Sequence, residues 1–203
     1  QSALSDSDRE QILNEALRVL GRCVDPDPKD WNRAEASAEL VVGEVQKVLA
    51  NLLAERVSIR DMETILEVLS DYGRATKDTD ILTEYVRHAL ARQISQQYVQ
   101  NNVLPCITLD PGLENKIAGA VQRTEHGSYV SLDPDAMQRL LASLNAELPK
   151  LTNMGYEPIV LTSPAVRTYF RQLVERSVQG LVVLSHAEIE QTVELQILGT
   201  VRI

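Results

Sequence analysis

Val103-Leu104-Pro105-Cys106-Ile107-Thr108-Leu109-Asp110-Pro111 is where the grammar of this chain changes. An apolar, partly β-branched run of strand length ends on an Asp-Pro pair. The pair opens a helix: Asp accepts a free amide of the first turn, and Pro sits where no amide is needed. The same design recurs at Ser131-Leu132-Asp133-Pro134 and at Leu161-Thr162-Ser163-Pro164. The helices that follow differ in length, so the recurrence reads as local chemistry and not as an old duplication. Ser128–Leu132, Pro158–Leu161 and Leu181–Leu184 are further strand-like runs. Amphipathic segments lie between them: Leu113, Ile117 and Val121; Met137, Leu140, Leu141, Leu144 and Leu148; Val166, Tyr169, Phe170, Leu173 and Val174. Strand alternating with helix predicts crossover connections and a mainly parallel sheet. The last run, Val193, Leu195 and Ile197 with polar Glu194 and Gln196 between, predicts a half-exposed edge strand at the C-terminus.

Before Asn101-Asn102 the period is helical. Ile12, Leu13, Ala16, Leu17 and Leu20 form one stripe, which the prolines of Val24-Asp25-Pro26-Asp27-Pro28-Lys29-Asp30 interrupt. Residues 34–56 resume it with Leu40, Val41, Val45, Val48, Leu49 and Leu52. Ser58 with Asp61 resembles a capping box that opens a helix on Ile59, Met62, Ile65, Leu66 and Leu69, and Gly73 stops it. Thr79 or Asp80 starts the next, with Leu82, Tyr85, Val86, Ala89, Leu90 and Ile94 on its buried side. The expected fold class is therefore α+β in two parts. A helical bundle over residues 1–102 precedes a small α/β subdomain over residues 103–203, with a mainly parallel sheet and an edge strand at its end.

With 203 residues, 44% hydrophobic and 24% charged, the composition is that of a globular protein with a sizeable core, which excludes disordered and fibrous classes. No apolar run approaches the roughly 18 residues of a membrane-spanning helix, so the piece reads as water-soluble. A start at Gln1, with neither Met nor a charged-then-apolar leader, suggests a part of something longer and no signal peptide. The net charge is −9. Residues 1–102 carry 12 basic and 18 acidic side chains, and residues 103–203 carry 8 and 11. Neither half offers the basic stripe of a nucleic-acid binder, and an anionic membrane surface would repel both. Cys23 and Cys106 stand far apart, which suggests free buried thiols in a reducing compartment.

A ligand of an open α/β sheet sits beyond the carboxyl ends of the strands. There, Asp110 and Asp133 already place carboxylates at helix starts, and no P-loop or GxGxxG offers a phosphate cradle. His88, His126 and His186 are scattered, and neither Cys has a ligand at metal spacing, so no metal or cofactor is expected. Ser185-His186 with Glu188 has hydrolase residue types, but neighbours on a strand point to opposite faces; a helix cap beside a surface His fits better. Glu125-His126 before Gly127 reads as a turn. No catalytic constellation survives. Charge instead gathers at the junctions of the helical half: Arg56, Arg60, Asp61, Glu63, Arg74, Lys77, Asp78, Glu84 and Arg87. Such residues normally form a solvated face. All but Arg74 are taken as candidate subunit contacts.

Val57-Ser58-Ile59-Arg60-Asp61-Met62-Glu63-Thr64-Ile65-Leu66-Glu67, Lys77-Asp78 and Leu82-Thr83-Glu84-Tyr85-Val86-Arg87 resemble the cytoplasmic region of the FlhA/LcrD (SctV) family, the large export-gate protein of bacterial type III secretion. Ala89-Leu90-Ala91-Arg92-Gln93-Ile94, Ile107–Pro111, Gly127–Pro134, Pro158–Ser163, Val183–Ile189 and Leu198-Gly199 continue it in collinear order over residues 40–203. Residues 1–35 match poorly. The resemblance implies the third (1–102) and fourth (103–203) cytoplasmic subdomains of an inner-membrane protein that assembles into a ring, nonameric in well-studied members. It implies docking of chaperone–substrate complexes, a gatekeeper and other export-control proteins, with no catalysis and no nucleic acid. In flagellar members of the family the best-defined chaperone contacts lie in the second subdomain and in the cleft it forms with the fourth, so none is carried over. Thr124–Pro134 looks more like the virulence-associated injectisome branch than the flagellar one. A reading of another class is a small α/β enzyme or ligand-binding domain working near Asp110, Asp133 and Ser163. Few aromatic residues suggest modest partner affinity.

Overall fold

A computed structural model describes the backbone over residues 31–124 and 127–203 and the side chains over 43–122 and 128–203. The stripe of residues 4–20, the Asp/Pro break, Leu40, Val41, Cys23 and the Glu125-His126 turn lie outside these. The fold is mixed helix and strand with a four-stranded parallel sheet, as the sequence predicts. It divides into two compact units, one ending at Ala89 and one spanning Leu90–Ile203.

In the first unit, α1 (Trp31–Ala54), α2 (Met62–Tyr72) and α3 (Thr79–Ala89) meet because α3 packs on both of the others. Val45, Val48, Leu49, Leu52, Val57, Ile65, Leu66, Leu82 and Val86 form its buried apolar set, at the expected helical spacing. Three local readings change. Asp61, not Ser58, caps α2: its carboxylate accepts the Thr64 amide at 3.2 Å and the Thr64 hydroxyl at 2.9 Å. Asp78 caps α3, accepting the Asp80 amide at 2.9 Å. Tyr85 and Ala89 are exposed, whereas Thr83 and Arg87 are buried.

The second unit begins one helix earlier than the composition change. α4 (Ala91–Gln96) packs on a 3-10 turn at His186–Glu188, and Arg92 reaches Glu190 at 3.2 Å. Asn101 and Asn102 then turn the chain with φ of 50° and 65°, a left-handed pair that Asn tolerates better than most residues. Gln100 and Val103 exchange both backbone hydrogen bonds across that turn at 2.9 Å. The sheet runs β5 (Val182–Ser185), β4 (Ile159–Thr162), β1 (Val103–Leu109), β6 (Glu194–Val201), all parallel. β6 is the edge strand expected.

Ile107, Leu109, Val160, Val183 and Val201 carry one face of the sheet into a core built from α5 (Pro111–Gly119), α6 (Pro134–Glu147), α7 (Pro149–Thr152) and α8 (Arg167–Val174). Leu104, Cys106, Leu161 and Leu184 are buried as well, so these strands read as continuous apolar runs.

The run Ser128–Leu132, which the sequence places in the sheet, is not there: the strand is Gly127–Val130. It pairs antiparallel with Val121–Thr124 as a separate hairpin, β2–β3, whose β3 packs on α8. α5 stops at Gly119, and two residues join the hairpin strands, so the nearest backbone partner is local. Val121 therefore belongs to β2, not to the preceding helix.

β6 slips register opposite Cys106 and Ile107, passing over Leu198, which brings Gly199 beside Ile107. A Cβ at Gly199 would collide with the Glu147 carboxylate and lie 3.3 Å from Ile107 Cγ2. Gly199→Val is expected to cost about 1–3 kcal/mol through overpacking. Urea unfolding with intrinsic fluorescence reads the loss, and an unchanged midpoint would contradict this packing.

Candidate functional site

The charged corner of the first unit sits on the α1–α2 and α2–α3 connections. α1 ends as its last carbonyls bond the turn that follows: Val57 donates to Leu52 at 2.9 Å and Arg56 to Leu53 at 3.0 Å. Arg56, Arg60, Asp61, Glu63, Arg74 and Lys77 are exposed; Asp78 and Glu84 are half-buried. Lys77 reaches Glu44 at 3.1 Å. The geometry thus keeps Arg56, Arg60, Glu63 and Lys77 at the surface, but assigns Asp61 and Asp78 a capping task.

Arg87 is the correction that matters most. It is 1% exposed, and its Nη1 meets Glu55 Oε2 at 3.2 Å, tying α3 to the end of α1. Clustered charge suggests a surface position for it, but apolar packing draws it inward to a carboxylate. Beside it, Asn51 Nδ2 donates to Thr83 Oγ1 at 3.1 Å and to Asp80 Oδ1 at 3.4 Å. Burial, then the nearby Asp78 and Glu84 carboxylates, push the Asp80 pKa up, partly offset by the Asn51 hydrogen bond. Sequence reasoning missed Glu55 and Asn51 because α1 looked like a plain apolar stripe. It also missed a stacked pair, Tyr72 on Tyr85, with ring centroids 4.2 Å apart and both rings about two-fifths exposed.

At the strand ends the proposed ligand groups are already engaged. Asp110 accepts the Gly112 amide at 2.9 Å and Asp133 the Ala136 amide at 2.8 Å, both as N-caps. Ser163 is not a cap. α8 starts a turn later at Arg167, and the Ser163 amide donates to Glu114 Oε1 at 2.7 Å. Ser185 donates its amide and hydroxyl to Glu188 Oε2, at 2.6 and 3.0 Å, while His186 faces solvent. That is a capping box, not a nucleophile and its base. Cys106 is a buried free thiol whose pKa burial pushes up to about 11, which keeps it protonated and inert. Among the described residues no cluster of His, Cys, Asp or Glu is arranged to hold a metal ion, and no helix is long and apolar enough to cross a membrane.

A helical unit followed by a four-stranded parallel sheet, both built largely from motifs in collinear order, can be compared with known proteins. The model of the FHIPEP family matches residues 31–194. The chain belongs to the FHIPEP family. This FHIPEP chain is 45% identical over 192 residues to the flagellar biosynthesis protein FlhA of Bacillus subtilis, covering 94% of this chain and 27% of that one. It therefore spans about a quarter of the length of such curated relatives. Among solved structures it resembles the CdsV protein of Chlamydia pneumoniae in its complex with CdsO: TM-score 0.78, 30% identity, 98% of this chain and 55% of that one. It also resembles the nonameric EscV cytosolic domain from the type III secretion system: TM-score 0.71, 28% identity, 98% and 56%.

Two outcomes test this geometry. Arg87→Ala takes the buried cation away from the Glu55 carboxylate and is expected to cost about 3–5 kcal/mol, most of it recovered in Arg87→Met/Glu55→Leu. Denaturant midpoints decide it; a mild single variant would place Arg87 at the surface. The Ala136 amide, then Lys116 and Arg139, hold the Asp133 carboxyl below its ordinary pKa despite an opposing desolvation effect. A depressed carboxylate contributes stability above its unfolded pKa and loses it as pH falls through the folded one. Asp133→Ala should thus lower the melting point at neutral pH, and the gap to wild type should close in acid. A gap that persists at low pH would mean that the cap is not ionic.

Proposed function

We propose that this chain is a cytoplasmic part, the third and fourth subdomains, of the large export-gate protein of a bacterial type III secretion system. It forms a ring, nonameric like its structural relative, at the cytoplasmic face of the inner membrane. The ring docks chaperone–substrate complexes, a gatekeeper and other export-control proteins so that substrates leave in order. The observation that carries this reading is the match, over nearly the whole chain, to a nonameric secretion-system cytosolic domain. A neighbouring structure in complex with CdsO supports a role in binding other components of the machine.

The work is recognition and not catalysis: the Asp110 and Asp133 carboxylates each accept an amide of the helix they cap, and the Ser185 hydroxyl donates to Glu188. The helical unit supplies subunit contact through Arg56, Arg60 and Glu63, with Lys77 and Glu84 at the second junction. Asp61, Asp78 and Arg87 hold that surface in shape.

The injectisome reading rests on Thr124–Pro134. The flagellar export gate is the second reading, favoured by the 45% identity to a flagellar relative. A pull-down with this chain from a lysate of its own bacterium, read by mass spectrometry, separates them by the chaperones and export components recovered. Arg60→Glu is expected to weaken ring assembly and secretion while leaving the melting point within about 1 °C, as surface substitutions do. Normal rings and normal secretion would overturn the contact.

A further inference from the structure

α1 and α3 pack through apolar residues and one polar seam. Arg87 Nη1 meets Glu55 Oε2 in that seam. One turn back, Asn51 Nδ2 donates to both Thr83 Oγ1 and Asp80 Oδ1, while the Thr83 hydroxyl donates to the Thr79 carbonyl at 2.6 Å. Asp80 is thus held half-buried in the seam, where carboxylates gather. Asp78, two residues before it, commits Oδ1 to the Asp80 and Ile81 amides, at 2.9 and 3.3 Å. Glu84 follows Asp80 at four-residue spacing, at which like charges repel. Glu55 adds a further negative charge from α1.

The other charges of the packed elements lie outside the seam. Glu63, Glu67 and Asp71 of α2, Lys47 of α1, Arg74 of the connection and His88 of α3 are exposed, and Lys77 is turned to Glu44. An acid in the first turn of a helix normally gains from the helix dipole, which favours its charged form. Asp80 is in that first turn. Yet burial, then Asp78 and Glu84, hold its carboxyl above the ordinary aspartate pKa and outweigh the Asn51 hydrogen bond.

We infer that Asp80 makes the α1–α3 seam a proton-responsive joint: its charge, set among like charges, loosens the packing of the two helices, and a proton on it firms that packing. A group whose folded pKa is raised contributes stability that is fully present below its unfolded pKa and is lost as pH rises through the folded one. The sign is opposite to that of Asp133, whose cap on α6 weakens as its carboxylate is protonated. Through these two carboxylates, one in each unit, a fall in pH favours the helical unit and disfavours the α/β unit. The device belongs to the single chain and is independent of any ring.

The test uses the whole chain as wild type, Asp80→Asn and Asp78→Asn, with thermal melts from neutral pH into mild acid and carboxyl NMR titration of Asp80. Asp80→Asn imitates the protonated side chain. It is expected to melt at least about 1 °C above wild type at neutral pH, and the difference should shrink as the pH falls. Asp78→Asn keeps a good N-cap but removes the leading charge effect on Asp80, so the Asp80 titration should move down toward the ordinary aspartate range. A first-turn acid held only by the helix dipole predicts the opposite sign, with Asp80→Asn melting below wild type. The joint is overturned if Asp80→Asn melts at or below wild type at neutral pH, or if the melting difference does not change with pH. It is equally overturned if the wild-type Asp80 carboxyl titrates at or below the ordinary range, or is unmoved by Asp78→Asn. Should Asp80→Asn fail to fold, the titrations of the wild type and Asp78→Asn decide alone.

Discussion

β1 has no side left for water. Its amides and carbonyls are shared between β4 and β6, and its side chains are buried toward both faces of the sheet. That constraint sets the rest of the second unit. Helices must cover one face with Leu113, Ile117, Leu140, Leu144 and Phe170, and β4, the inner strand beside it, is buried along its length. The helix starts that follow the strands must also be capped from within. Asp110 caps α5 and at the same time donates its own amide to the last carbonyl of β6, Val201, at 3.0 Å. The junctions where a related fold would hold a ligand are here consumed in holding the fold.

Legibility in the sequence followed the range of the forces. β1 was read to the residue, because a seven-residue run, apolar but for Thr108 and closed by Asp-Pro, leaves no other local solution. The caps at Asp110 and Asp133 were legible for the same reason, since an N-cap acts across two or three residues. Ser163 looked similar as text but does not cap, because the helix after it starts a turn later, at Arg167. The hairpin was misplaced in the sheet because a strand's partner is a choice between a neighbour two residues away and one across the domain. Alternation alone does not make that choice.

The charged corner shows the same division. Its location was legible from clustered charge, yet the tasks within it were not. Arg87 and Arg56 are the same residue type at two junctions of one bundle. One is buried on Glu55, linking two helices; the other stands in solvent on a backbone position better suited to glycine. Only the three-dimensional path of α1 separates them. Composition counted both as surface charge, although one maintains the surface and the other is offered by it.

The pairing of β1 with β6 also orders events in time. Asn102 and Thr192 meet across a separation of 90 residues, and Thr108 meets Thr200 across 92. As the ribosome delivers this chain, the helical unit can close on contacts already present, whereas β1 waits with an open flank until β6, about 90 residues further on, has been made. Parallel strands so far apart nucleate slowly, because the loop must be closed before any ladder bond rewards it. During that interval the most apolar strand of the protein is its most adhesive one. The polar alternation of β6 and its displaced register are then features of a lid strand: late to arrive, and once in place unsuited to recruiting another.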